Sequence, residues 1–127
     1  MIRLPHDLRA RLLANGLDPD TDHVPVLKLF NPNGPATWLA TELDGNGDTL
    51  FGLADLGFSC PELGSFSLSE ILSVRLPFGM QIERDILFEG RFPLSVYTEA
   101  ARRQGAITEI DHLLHAAEAA LRTRGET

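Results

Sequence analysis

An α+β domain, a single antiparallel sheet of about four strands with helices packed on one face, is what this sequence predicts, and three observations carry the prediction. The chain has 127 residues, 43% hydrophobic and 23% charged, which suits one domain with one core and no metal or disulfide support. Residues 36–43 and 49–56 are largely apolar stretches on either side of Asp44-Gly45-Asn46-Gly47-Asp48, and Asn-Gly between such stretches specifies a hairpin. Helical periodicity marks both ends of the chain. The resulting order, αβββαβαα, gathers helices against an antiparallel sheet.

Each element has a local cause. Pro5 to Asn15 reads as a helix, because proline suits a first turn, Leu8 and Leu12 share a face, and Asn15-Gly16 supplies a stop. A polar loop over 17–24 leads into a strand over 25–30, which ends at Asn31-Pro32-Asn33-Gly34-Pro35. After the hairpin, Pro61 and Gly64 punctuate a loop. Ser67-Leu68-Ser69-Glu70 is a capping box that opens a short helix to about Arg75. Pro77-Phe78-Gly79 turns the chain into a strand over about 80–88. A helix over 93–104 carries Leu94, Tyr97, Ala100 and Ala101 at helical spacing, with Gly105 as its stop. The last helix, over 108–123, has the apolar stripe Ile110, Leu113, Leu114, Ala117 and Leu121, with acids at its start and Arg122 and Arg124 at its end.

Composition narrows the functions. The net charge of −7 argues against general phosphate-backbone binding, and ten scattered arginines with a single lysine make no basic stripe. No apolar run approaches the ~18 residues of a membrane span. The start, Met1-Ile2-Arg3-Leu4-Pro5, lacks a secretion signal, and the lone Cys60 has no internal partner, so the expected location is the cytoplasm.

The unusual feature is charge inside strands. Lys28, Glu42, Asp55 and the run Glu83-Arg84-Asp85 interrupt apolar segments. Such a charge is paired, faces solvent, or belongs to a site, because an unpaired buried charge costs several kcal/mol. With Asn46 and Gly47 as a two-residue turn, Glu42 pairs with Phe51, Ala40 with Leu53 and Trp38 with Asp55. This register places Trp38, Glu42, Phe51 and Asp55 on the more open face, and leaves Leu39, Leu43, Leu50 and Leu56 on the covered one. Arg84 falls among Ile82, Ile86 and Phe88, where a carboxylate partner is expected. The structural expectation is that Lys28 and Arg84 pair with Glu42, Asp55 or Glu62 and pin the strand order.

Other chemistry finds little footing. Asp44–Asp55 and the Asp18-Pro19-Asp20-Thr21-Asp22 stretch each depart from the calcium-loop pattern, with Thr49 and His23 at the glycine position, and read as turns. Glu42, Asp55, Glu83 and Asp85 would hold a divalent ion only by converging from neighbouring strands. Among His6, His23, His112 and His115, the last two lie one turn from Glu109 and Asp111, on or beside the outer face of their helix. Gly57-Phe58-Ser59-Cys60-Pro61 fails as a nucleophile elbow because its fifth residue is proline, and Cys60 has no basic neighbour in sequence.

The segments Pro25–Phe30, Thr37–Leu43, Phe51–Gly57, Pro61-Glu62-Leu63-Gly64, Ser67–Glu70 and Ile82–Phe88, in that order, resemble a family of small bacterial proteins of unknown function. The resemblance covers about residues 5–107. It implies a setting, since members of that family are found on plasmids and integrative conjugative elements, and it implies no reaction. The helix over 108–123 lies outside it.

The functional expectation is therefore a cytoplasmic, non-enzymatic accessory of a mobile element that binds another protein and needs no cofactor. Its expected surface has Trp38 as aromatic anchor, flanked by Glu42 and Asp55, with Lys28, Arg84 and Glu62 nearby. Two alternatives follow from the same residues. One is a metal-dependent hydrolase or nuclease using Glu42, Asp55, Glu83 and Asp85. The other is an acidic antagonist of DNA-binding host enzymes.

Overall fold

A computed structural model describes residues 4–125, so Met1–Arg3, where the reading of the N-terminal segment begins, lie outside the described residues. The elements are α1 (His6–Gly16), β1 (Leu27–Phe30), β2 (Thr37–Leu43), β3 (Thr49–Asp55), β4 (Glu62–Ser67), α2 (Leu68–Leu72), β5 (Glu83–Arg84), α3 (Leu94–Gln104) and α4 (Asp111–Thr123). The strands form one antiparallel sheet in the order β4-β3-β2-β1-β5. The α+β class with an antiparallel sheet is as the sequence predicts. The strand count is five.

The additional strand is β4, in a segment read as a loop. Its sequence, Glu62-Leu63-Gly64-Ser65-Phe66-Ser67, has weak strand propensity but pairs with β3 from Ala54↔Glu62 to Thr49↔Ser67. Ser67 then caps α2, its Oγ accepting the Glu70 N–H at 3.1 Å, as the capping box requires. The predicted strand over 80–88 contracts to two residues. Asp85 ends it by taking the Leu87 N–H on its carboxylate at 2.9 Å and the Phe88 N–H on its carbonyl at 3.2 Å.

The hairpin contains a bulge. Leu43↔Leu50 and Glu42↔Phe51 pair as predicted, but beyond Thr41 the partners become Ala40↔Gly52, Leu39↔Leu53, Trp38↔Ala54 and Thr37↔Asp55. One extra residue in β2 breaks its period of two, so every side chain before the bulge lies on the face opposite to the one expected. Two contacts hold the bulge. Asn15 Nδ2 donates to the Thr41 carbonyl at 2.9 Å, and Gly52 permits close approach, since a Cβ there would lie 1.9 Å from the Leu39 carbonyl oxygen.

Both faces of the sheet are consequently buried, which corrects the expectation of helices on one face. On one side Leu8 and Leu12 of α1 and Leu68 and Ile71 of α2 pack on Leu27, Leu29, Trp38, Ala40, Leu43 and Leu50. On the other, α3 (Leu94, Tyr97, Ala100, Ala101) and α4 (Leu114, Ala117, Leu121) pack with Leu39 and Leu53. The hairpin yields an alternating apolar set for each face, so one helix layer cannot cover the sheet. α4 is an integral packing element, with Leu114 and Ala117 fully buried.

Candidate functional site

The charged strand residues do not form one cluster. Trp38 is 8% exposed and lies under α1, on the face opposite Glu42 and Asp55. It is a core residue and not a surface anchor, because the bulge reverses its side. Glu42 is half-buried near one end of β2; burial pushes its carboxyl up, with His23 opposing the rise and Asp18 reinforcing it. Asp55, 3% exposed, accepts the Gly57 N–H at 2.9 Å and the Ile107 N–H at 3.0 Å. Its two oxygens thus fasten the loop after β3 to the α3–α4 connection.

Lys28 is paired, though not with the acids expected. Its Nζ lies 2.5 Å from Glu109 Oε2 and 3.5 Å from Asp85 Oδ2, binding β1 to the segment before α4 and to the chain leaving β5. Arg91 reinforces the same region through Asp111 and the Glu109 carbonyl. Arg84 is half-buried on the α1 side of β5, and among the described residues it makes no ion pair. Glu62 is exposed at the start of β4, and Glu83 is exposed on β5.

The four carboxylates of the hydrolase reading do not converge: Glu83 and Asp85 border one groove beside β5, and Glu42 and Asp55 lie elsewhere. Glu42 pairs with Phe51, four residues from Asp55 along β3, a separation of about 13 Å at ~3.3 Å per residue. Asp55, Thr37, Phe30 and Glu83 lie in one row across the sheet, which puts Glu83 three strand spacings, roughly 14 Å, from Asp55. Among the described residues, no group of three or more histidine, cysteine, aspartate or glutamate side chains is placed to hold a metal ion. The two calcium-like stretches spend polar groups on their own turns and on neighbouring elements: Thr21 donates to Asp18 within its turn, and Asp22 accepts from the N–H and hydroxyl of Ser95. Asn46 Oδ1 accepts from the Asp48 and Thr49 N–H groups, and Asp48 accepts from Ser67 Oγ and the Ser69 N–H. The bond from Ser67, with that from Ser69, holds the Asp48 carboxyl below its ordinary range.

What the fold does assemble is an exposed apolar surface at each end of the sheet. Beside β5, Ile86 and Leu87 are 75% and 88% exposed and border a shallow groove of about 390 Å³ with Lys28, Phe30 and Arg84. At the other end, Leu56, Phe58, Cys60 and Glu62 line a pocket of about 180 Å³ next to β4. Phe58 is 78% exposed. Its loop is fixed by the Asp55–Gly57 bond, and Gly57 (φ 91) and Ser59 (φ 65) both occupy the left-handed region.

The two edges differ. β5 is short and charged, with Asp85 directly after it, which are the devices by which sheets discourage further pairing. β4 has six residues, and from Leu63 to Ser67 it carries no charge, proline or bulge. Among the described residues β4 pairs only with β3, and a Cβ on Gly64 would meet nothing within 4 Å. Sequence reasoning selected Glu62 here but missed Phe58 and Leu63, because glycines and a proline made 57–64 read as connection, and it placed Leu56 on the covered face, whereas Leu56 follows the end of β3 and is 53% exposed. The available signal was the recurrence of large apolar residues within that loop.

Residues 3–108 match the family described as protein of unknown function (DUF2958). No curated protein and no solved structure matches the chain.

Proposed function

The chain belongs to the DUF2958 family, and from that premise we propose that it is a non-enzymatic protein-binding module, an accessory of a mobile genetic element, that receives its partner along the open edge of β4. The observation that carries this reading is the unguarded edge itself. Each second residue of an edge strand offers its N–H and C=O outward, and such a row is satisfied by another strand. Phe58 and Leu63 add exposed apolar area beside it, and aromatic anchors of this kind concentrate binding energy. The acids of the strands support a binding role, since Asp55 and Asp85 are occupied within the chain's own bonds. The mobile-element setting rests on the resemblance of the strand segments, and the net charge of −7 favours protein over nucleic acid as the contact.

Affinity capture from the native host at low and high salt, comparing the parent chain with the doubly substituted Leu63→Lys, Ser65→Lys chain, tests the proposal. Both positions are exposed, so the fold should persist, and edge lysines oppose strand addition. A partner retained at both salts and lost from the substituted chain is the expected result. Partners unaffected by the substitutions would refute the edge. Capture of DNA-processing proteins that falls steeply with salt would favour the acidic antagonist.

A further inference from the structure

Resting on the edge-docking reading, we infer that the occupant of β4 is an extended segment of a partner protein that carries an aliphatic side chain with a lysine or arginine two residues away, on the same face. Three features set this chemistry. An edge strand accepts only extended backbone, and an added strand sends alternate side chains to opposite faces of the sheet. On the α1 side of β4, where Ala54 pairs with Glu62, those side chains meet the pocket lined by Leu56, Phe58 and Cys60. At about 180 Å³ it is smaller than the roughly 300–1,000 Å³ of small-molecule sites, a size for a single aliphatic group.

On the other face the same strand would run over Leu63 and Ser65, which pair with Leu53 and Phe51. The rim supplies the charge preference. Glu62 is exposed at the pocket and, among the described residues, makes no salt bridge, while the chain as a whole is strongly acidic. A cation two residues from the aliphatic one shares its face and complements Glu62, and an acidic segment is repelled.

A second copy of the chain fits less well. β4 pairing with itself would place no cation against Glu62 of either copy, because the strand contains none. It would also leave both pockets without an aliphatic side chain directed into them, since the strand's one aliphatic residue, Leu63, lies on the other face and Phe66, on the pocket's face, packs against the α1-side core.

The test uses an N-acetylated octapeptide of alternating lysine and valine in which leucine replaces one inner lysine, so that it shares a face with the remaining lysines, titrated into the full chain. Binding is followed by fluorescence polarisation and by protection of Cys60, the only cysteine and a pocket residue, from an aromatic disulfide reagent. The expected result is binding with Cys60 protection, abolished when alternate peptide nitrogens are methylated. Replacing leucine by alanine should weaken binding about ten-fold in the parent chain and about two-fold or less in Phe58→Ala. Glu62→Gln should weaken binding and flatten its salt dependence.

Equal binding of a peptide with aspartate for lysine, or no effect of leucine, would overturn the assigned partner chemistry while leaving edge docking in place, provided methylation still blocks binding. Binding indifferent to methylation would overturn both. No binding at about 1 mM peptide, near the weak limit of specific recognition, would overturn the inference. So would concentration-dependent dimerisation that is lost in the chain carrying Leu63→Lys and Ser65→Lys, because the occupant would then be a second copy.

Discussion

Replacing Asp55 by alanine separates a structural carboxylate from a functional one. The side chain is 3% exposed and accepts two backbone N–H groups, from Gly57 at 2.9 Å and Ile107 at 3.0 Å. Hydrogen bonds to a charged acceptor contribute about 1.5–3 kcal/mol each. Gly57 is exposed, so its freed N–H reaches water and that loss falls at the low end; Ile107 is half-buried, and its N–H is left with poorer solvation. The expected destabilisation is about 3 kcal/mol, and with an unfolding entropy of roughly 0.27 kcal/mol/K for a chain of this length Tm falls by about 11 °C. Asp55→Asn keeps one acceptor oxygen and should lose about half as much. Urea denaturation with an unchanged slope is the assay, and loss of the Gly57 constraint should also raise amide exchange across 56–60. A loss below about 1 kcal/mol for Asp55→Ala would refute the structural assignment. Magnesium- or manganese-dependent stabilisation of the parent chain that disappears in Asp55→Asn would instead restore the hydrolase reading.

Trp38→Ala should cost about 3–5 kcal/mol, as expected of a core aromatic, and a near-neutral effect on thermal unfolding would contradict its burial. Gly52→Ala drives a Cβ to 1.9 Å from the Leu39 carbonyl, so the variant should unfold at least ~10 °C lower, or show altered β2–β3 cross-strand nuclear Overhauser contacts if the bulge moves. Hydrogen bonds from Arg124, and secondarily Arg103, outweigh burial and hold Glu99 below its ordinary value of 4.5. Its stabilisation is therefore complete above that value and lost as pH falls through the lower folded value, and Glu99→Gln should flatten this acid limb in pH-dependent denaturation. Glu42 has the opposite sign. Burial raises its carboxyl, so stability declines as pH climbs from 4.5 through the raised value, and Glu42→Gln should be slightly more stable than the parent at neutral pH.

Much of the architecture was legible before any tertiary information. α1, α3 and α4 begin and end close to the residues their periodicity and stop signals mark, because amphipathic spacing and caps act within a few residues of one another. The hairpin was legible for the same reason, and near its tip so was the register, Glu42 opposite Phe51. The turn itself closes differently: the Gly47 N–H donates to the Asp44 carbonyl at 2.9 Å, and Gly47 carries the positive φ of 75. The candidate surface was legible only at Glu62. The indole, chosen as its centre, proved to be core.

The sequence by itself determined the class of the domain, the helices, the hairpin and the fact that the charges within strands needed partners. Tertiary structure alone decided which partners they found and which face each residue took. The physical reason lies in one residue of pairing. A bulge at Thr41 is stabilised from outside β2, by Asn15 of α1 and by the missing side chain of Gly52 across the hairpin, and it reverses the facing of everything before it. An isolated glycine within a strand was the local sign of that event. Likewise β4 exists because β3 offers it a full ladder, and the open edge that results is a property of strand order, which no window of sequence contains.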